Sequence, residues 1–199
     1  MLISVSGKAR SGKDTFAEML AEELSKFEQK PYVLMAYATE LKNRVQKDFD
    51  LSWEQLWGTE KEVEDNRYQK EDGTGFWTGR EILQAYGQFY RTIKQDFWVE
   101  YLFNVIKEKN YNNVIITDAR HKNEVDAVLN RGGYHVRVTR DNKEHVHGND
   151  HISETALDDD YKVDFHVINN AGLDELRNVA NEVVFFLTSK NRINKILEV

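Results

Sequence analysis

The sequence predicts an α/β fold: a doubly wound parallel sheet with a loop shaped to cradle phosphate. Three observations carry the prediction. An apolar, strand-like run over Leu2–Ser6 enters Gly7 and Gly12, which have four residues between them, with Lys13 directly after. Phe16, Met19, Leu20, Leu24 and Phe27 then recur at helical spacing. Strand-like and helix-like runs alternate along the rest of the chain, which right-handed crossovers turn into a parallel layer covered on both faces. At 199 residues the chain suffices for one α/β domain with a proper core. The expectation is a single domain, 1–199, with 37–100 as its substrate-binding region and 140–160 as a polar lid.

The loop at residues 7–15 reads Gly-Lys-Ala-Arg-Ser-Gly-Lys-Asp-Thr, the Walker A arrangement. Glycines let the backbone curl until several N–H groups converge on one anion, and the following helix adds its positive end. Lys13 supplies a point charge suited to the β- and γ-phosphates. Gly7, Arg10, Ser11, Gly12, Lys13, Asp14 and Thr15 are therefore the candidate nucleotide-binding residues. The usual Ser or Thr after the lysine is replaced by Asp14, and a hydroxyl follows at Thr15. Asp14 is the candidate magnesium ligand, since that ion favours carboxylate and water oxygen.

Composition excludes several classes. A net charge of −7 argues against a nucleic-acid coat, which normally shows a basic face. The absence of cysteine removes disulfides and thiolate metal sites. No apolar run approaches a membrane span, and the chain opens on a strand without a basic leader, so the expectation is a soluble, unprocessed, cytoplasmic protein. There is no fixed-period repeat and no low-complexity tract.

After the first helix, residues 32–36 read as a second buried strand and 39–49 as a helix. The Tyr37–Arg44 stretch sits where a strand's C-terminal end meets a helix, the place where open α/β sheets bind ligands. Lys42 is a candidate substrate contact there, while Arg44 reads as a surface charge. Trp53, Leu56 and Trp57 suggest a short helix. Residues 60–75 are charged and glycine-punctuated, reading as a mobile polar segment in which Arg67 is either a substrate clamp or a solvated arginine.

Residues 78–93 form a two-faced helix, with Leu83, Tyr86, Tyr90 and Ile93 on the apolar side. Arg80, Gln84, Gly87 and Arg91 line another stripe, which either reads a phosphate and a base, with Gly87 leaving room for the ring, or is an ordinary solvated face. Residues 97–108 continue as an aromatic-rich helix. The run 113–118 is a strand ending in Asp118, either a Walker B-type carboxylate or a helix N-cap. Arg120 follows at the same sheet edge.

Residues 124–131 complete a helix closed by Gly132 and Gly133, and 134–139 form a strand whose end Arg137 and Arg140 flank. Residues 141–160 are almost wholly polar, as suits a lid that excludes water. His145, His147 and His151 lack the spacing of a zinc site and read as solvated lid residues. Residues 164–168 form a last strand and 169–172 a turn. Residues 173–187 are an amphipathic helix, with 191–199 as a frayed tail.

The 7–15 loop, Gly-Arg-Glu-Ile-Leu-Gln-Ala-Tyr-Gly at 79–87 with Arg91 and Trp98, Thr-Asp-Ala-Arg at 117–120 and Asn-Glu-Val at 123–125 together resemble the bacteriophage deoxynucleoside monophosphate kinases. His-Ile-Ser-Glu-Thr-Ala-Leu-Asp at 151–158, Asp164 and Ile-Asn-Asn-Ala-Gly at 168–172 fit the same pattern, so the likeness spans nearly the whole chain. Gln88 departs from it, standing where the phage pattern has Thr. The acid after the Walker lysine, the Asp-x-Arg strand end and the Ile-x-Asn-x-Gly tail are shared with phosphomevalonate kinases.

The resemblance implies a nucleoside-monophosphate-kinase-like fold and transfer of phosphoryl from ATP, with magnesium, to a deoxynucleoside monophosphate. It implies Lys13, Arg120 and Arg140 as catalytic cations. Lys42, Arg67, Gln84, Arg91, Asp118 and Arg120 are then acceptor-binding, and Asn170 lies on the adenine side. The partners are small-molecule nucleotides, with neither nucleic acid nor membrane; a homodimer stays open. The alternatives are a phosphomevalonate-type kinase and a non-catalytic nucleotide-binding module.

Overall fold

The computed structural model describes residues 1–140, 155–157 and 161–197, with side chains as far as Ser189. In chain order the elements are β1 (Leu2–Ser6), α1 (Lys13–Glu28), β2 (Val33–Met35), α2 (Ala38–Phe49), α3 (Trp53–Leu56), a 3-10 turn (Glu60–Glu62), β3 (Glu64–Gln69), β4 (Phe76–Thr78), α4 (Gly79–Ile93), α5 (Phe97–Glu108), β5 (Val114–Ala119), α6 (Lys122–Leu129), β6 (Tyr134–Thr139), β7 (Phe165–Ile168) and α7 (Leu173–Leu197). The chain divides into two compact units, Met1–Ala36 with Val105–Val199, and Tyr37–Asn104.

The first unit holds a five-stranded sheet in the order β2-β5-β1-β6-β7, parallel at every pairing, with β1 at its centre. Alternation along the strands divides its faces. Ile3, Val5, Ile115, Val136, Val138 and Val167 pack with Phe16, Leu20 and Leu24 of α1 and Leu176, Val183 and Leu187 of α7 in one buried cluster. Helix α6 packs against β1 and β6, burying Val125 and Val128. Arg177 ties α7 to α1 through Glu22 and Glu23 at 2.8 and 2.7 Å.

Four local expectations change. Phe27 shares the helical spacing yet is exposed, because it lies beyond the stripe that meets the sheet. β2 is shorter than 32–36 and only half buried, since it is an edge strand with one partner, β5. Arg137 does not flank the end of β6; it lies inside the strand, buried, in register with Ser6. The last helix continues through Leu197 rather than ending at 187. The lid stretch, with His145, His147 and His151, lies almost wholly outside the described residues. Among those described, no helix is long and apolar enough to cross a membrane.

The second unit is built on α2, α4 and the start of α5 around Leu41, Val45, Leu51, Leu56, Ile82 and Trp98. Residues 60–75, expected to be a mobile segment, contain most of an antiparallel β3–β4 hairpin. β3 is mostly polar and β4 is a three-residue Phe-Trp-Thr run, and neither shows alternating burial, which is why the pattern missed them. On α4 the deeply buried apolar residue is Ile82, while Ile93 at the helix end is exposed.

Candidate functional site

The glycine loop joins the C-terminal end of the central strand to the first turn of α1, the end at which open parallel sheets bind ligands. Gly12 is the N-cap of α1 with φ 85°, a left-handed conformation that a Cβ resists, and a Cβ there would run into Asn169. A Cβ on Gly7 would meet the Val138 carbonyl oxygen, so that glycine is required for close approach. Arg10 also takes positive φ, at 64°. Gly12, as the N-cap, brings no side-chain cap to α1, and N–H groups of the first turn are suited to donate to phosphate oxygens.

Lys13 is buried at the start of α1, its Nζ 3.6 Å from Asp14 Oδ2. Burial pulls the ammonium below its ordinary pKa; Asp14 and Asp118 draw it back up, and Arg120 lowers it further. That field brings together residues more than 100 positions apart in sequence. Asp118 lies within β5, where a register irregularity opposite Ser4 and Ser6 of β1 interrupts the ladder. It is not a helix cap: His121 is the N-cap of α6, and Glu124 Oε2 accepts from Arg120 N at 2.8 Å and His121 N at 3.1 Å. Glu124, 2 % exposed, thus fixes the backbone that carries Arg120. Arg140 follows the end of β6 and is exposed.

Two further residues reach the loop from the far strands. Asn169 Nδ2 donates to the Ser11 carbonyl at 2.8 Å. His135, fully buried in β6, has its Nε2 2.8 Å from Ser6 Oγ and its Nδ1 3.1 Å from the Tyr161 carbonyl. Asn170, the adenine-side candidate, is exposed, whereas its neighbour Asn169, which carries no sequence signal, is buried and holds the loop. No periodicity marks either brace; only the strand order β1-β6-β7 brings them there.

The second unit contains Lys42, Arg67, Gln84 and Arg91. Arg67 donates through Nε to Asp65 Oδ1 at 2.9 Å and through Nη2 to Asp65 Oδ2 at 2.7 Å, and it reaches the Asp50 carbonyl at 3.1 Å. Gln55 adds a bond to Asp65 at 2.9 Å. The Arg67 fork holds the hairpin. Arg80 likewise pairs with Glu62.

Gly87 does not leave space for a ring. It is buried where α4 meets α2, and a Cβ there would lie 3.3 Å from Leu41 Cδ2 and 3.1 Å from Arg91 Nη1. The Trp98 indole donates to its carbonyl at 3.2 Å. Lys42 lies 5.5 Å from the Trp57 ring centre, and Gln84 and Arg91 are half buried. Arg44, read as a surface charge, is instead set among Tyr90, Phe97, Trp98 and Tyr101 at 5.4 to 5.9 Å, with Nε 2.7 Å from Glu40.

Among the described residues no three acidic or histidine side chains gather as a metal cage. Magnesium needs none, because it is commonly bound through one or two carboxylates, substrate phosphates and water. The Asp14 carboxylate, 72 % exposed at the helix start, fits that mode.

The deoxynucleotide monophosphate kinase family model matches residues 36–179. A protein of Acanthamoeba polyphaga mimivirus bearing the name "Putative deoxynucleotide monophosphate kinase" is 28% identical over 199 residues, covering 88% of this chain and 91% of that protein. Among solved structures, the dephospho-CoA kinase from Campylobacter jejuni aligns with a TM-score of 0.46 and 12% identity, over 92% of this chain and 95% of that one.

Proposed function

Since the chain belongs to the deoxynucleotide monophosphate kinase family, we propose that it transfers the γ-phosphoryl group of ATP to a deoxynucleoside monophosphate, giving ADP and the deoxynucleoside diphosphate. A phosphate oxygen of the acceptor attacks the γ-phosphorus, and the bond from that phosphorus to the β–γ bridging oxygen breaks. The observation that carries the reading is the buried Lys13 at an uncapped helix start, in the field of Asp118 and Arg120.

In this reading the loop from Gly7 to Thr15, with Arg10 and Ser11, holds the ATP phosphates through backbone N–H groups, and Asn170 lies on the adenine side. Lys13 neutralises charge on the transferred group, with Arg120 and Arg140 as further cations. Asp14 holds magnesium, which screens the phosphate charge when bound. Acceptor recognition falls to Asp118 and Arg120 and, on chemistry, to Lys42, Gln84 and Arg91 of the second unit: guanidinium and ammonium for phosphate, amide for a base edge. Arg67 drops out of that set because Asp65 and Asp50 occupy its fork.

The test is a coupled ADP-release assay across the deoxynucleoside and ribonucleoside monophosphates, with phosphomevalonate as control. ADP release dependent on a deoxynucleoside monophosphate is the expected result. A preference for phosphomevalonate, or slow hydrolysis indifferent to any acceptor, would overturn it.

A further inference from the structure

The glycine loop is gripped at two points by side chains from strands that follow it by more than a hundred residues. Ser6 precedes Gly7 and meets His135; Ser11 precedes Gly12 and meets Asn169. We propose that His135 and Asn169 are positioning residues that preset this loop for the triphosphate of ATP, an inference that rests on the reading of the loop as the ATP site.

The proton on His135 is assigned by its neighbours. Nδ1 faces two carbonyls, Tyr161 at 3.1 Å and Lys162 at 3.3 Å, and so must carry the hydrogen. Burial pushes the imidazole pKa below its ordinary value, which keeps the ring neutral and leaves Nε2 as an acceptor. Ser6 Oγ therefore donates to Nε2 at 2.8 Å, and the serine is held just where the chain leaves the sheet for Gly7.

The carbonyl side of this relay is itself anchored. Tyr161 OH donates to Asp126 at 2.9 Å and Lys162 Nζ donates to the same carboxylate at 2.6 Å, while Asp164 accepts from His135 N at 2.9 Å and donates its own N–H back to His135 O at 2.9 Å. Lys162 takes φ 48° within this clamp.

Asn169 acts on a peptide plane. The Ser11 carbonyl and the Gly12 N–H belong to one trans peptide and point in opposite directions. Drawing the carbonyl onto Asn169 aims the Gly12 N–H the other way. A loop whose donors are fixed beforehand loses less entropy on binding and holds its dipoles ready for charge. Packing alone does not account for the pairing, since with an apolar side chain at 135 the buried Ser6 hydroxyl would lose its partner at Nε2.

The experiment measures the Kd for magnesium–ATP by calorimetry, the KM for ATP and for the acceptor, and the thermal midpoint. The variants are Ser6→Ala, His135→Asn, His135→Gln, Asn169→Ala and Lys13→Ala. Asn at 135 reproduces the Nδ1–H but falls short of Ser6, whereas Gln keeps an acceptor within reach of it. The expected result is ATP binding roughly three- to tenfold weaker in Asn169→Ala, Ser6→Ala and His135→Asn, as for one lost hydrogen bond each, with the acceptor KM unchanged and His135→Gln nearer the wild type.

Folded Asn169→Ala and Ser6→Ala proteins that bind ATP like the wild type would overturn the inference, as would equal rises in both KM values. Ser6→Ala removes only a hydroxyl and keeps the test decisive should a larger change prevent folding. Lys13→Ala separates the two readings. If it turns over normally in the coupled assay, the loop is not the phosphate site and the proposed function fails; if its turnover collapses while the braced-position variants bind ATP normally, only the present inference fails.

Discussion

Arg67 closes a two-pronged bond on Asp65, with Nε and Nη2 at 2.9 and 2.7 Å from the two carboxylate oxygens of a side chain only 6 % exposed. The bond joins residues two apart on β3, and Gln55 ties the same carboxylate to α3. Arg67→Ala should therefore lower the thermal midpoint by a few degrees and leave both KM values unchanged. A raised acceptor KM in a folded Arg67→Ala protein would restore the clamp reading.

The same pair sets a pH dependence. The Arg67 guanidinium holds the Asp65 carboxyl well below the usual carboxylate range. A depressed folded-state pKa contributes stability that is present above the unfolded value near ~3.9 and is lost as pH falls through the folded one. Asp65→Asn should therefore show a shallower loss of stability between about pH 4 and pH 2 than the wild type, measured as denaturant midpoints. Parallel curves would place the acid sensitivity elsewhere.

Lys13→Ala should lower kcat on the order of a hundredfold or more while the thermal midpoint holds, because the ammonium acts on charge that builds during transfer. Removing a partly desolvated cation also relieves a burial cost, so folding has no reason to suffer. Near-normal turnover in a folded variant sinks the assignment.

Asp14→Asn should raise the magnesium concentration needed for half-maximal rate, since an amide attracts the ion less than a carboxylate does. The carboxylate is 72 % exposed, so the substitution should leave stability almost untouched. An unchanged magnesium titration would reduce Asp14 to a favourable charge at a helix start.

Arg91→Ala should raise the KM for the deoxynucleoside monophosphate far more than the KM for ATP. A Cβ on Gly87 would lie 3.1 Å from Arg91 Nη1, so the guanidinium sits close over that glycine. A selective rise in the ATP KM would move Arg91 out of acceptor recognition.

The sequence by itself determined the central motif, the strand and helix alternation and the family. Those signals are local: glycine spacing, a lysine and period-2 or period-3.6 patterns are written in contiguous residues, and backbone geometry turns them directly into strand, loop and helix. The tertiary structure decided what the polar residues do. The β3–β4 hairpin has no alternation of burial to announce it: Asp65, Arg67 and Gln55 hold it through a polar cluster while Tyr68 and Trp77 lie against the apolar core. Arg67 and Arg91 are both arginines in a polar context, and only the fold commits one to Asp65. His135 and Asn169 become loop braces because β6 and β7 line up beside β1, across 129 and 158 residues of chain. A hydrogen bond between residues so distant depends on strand order and register, which no local period encodes.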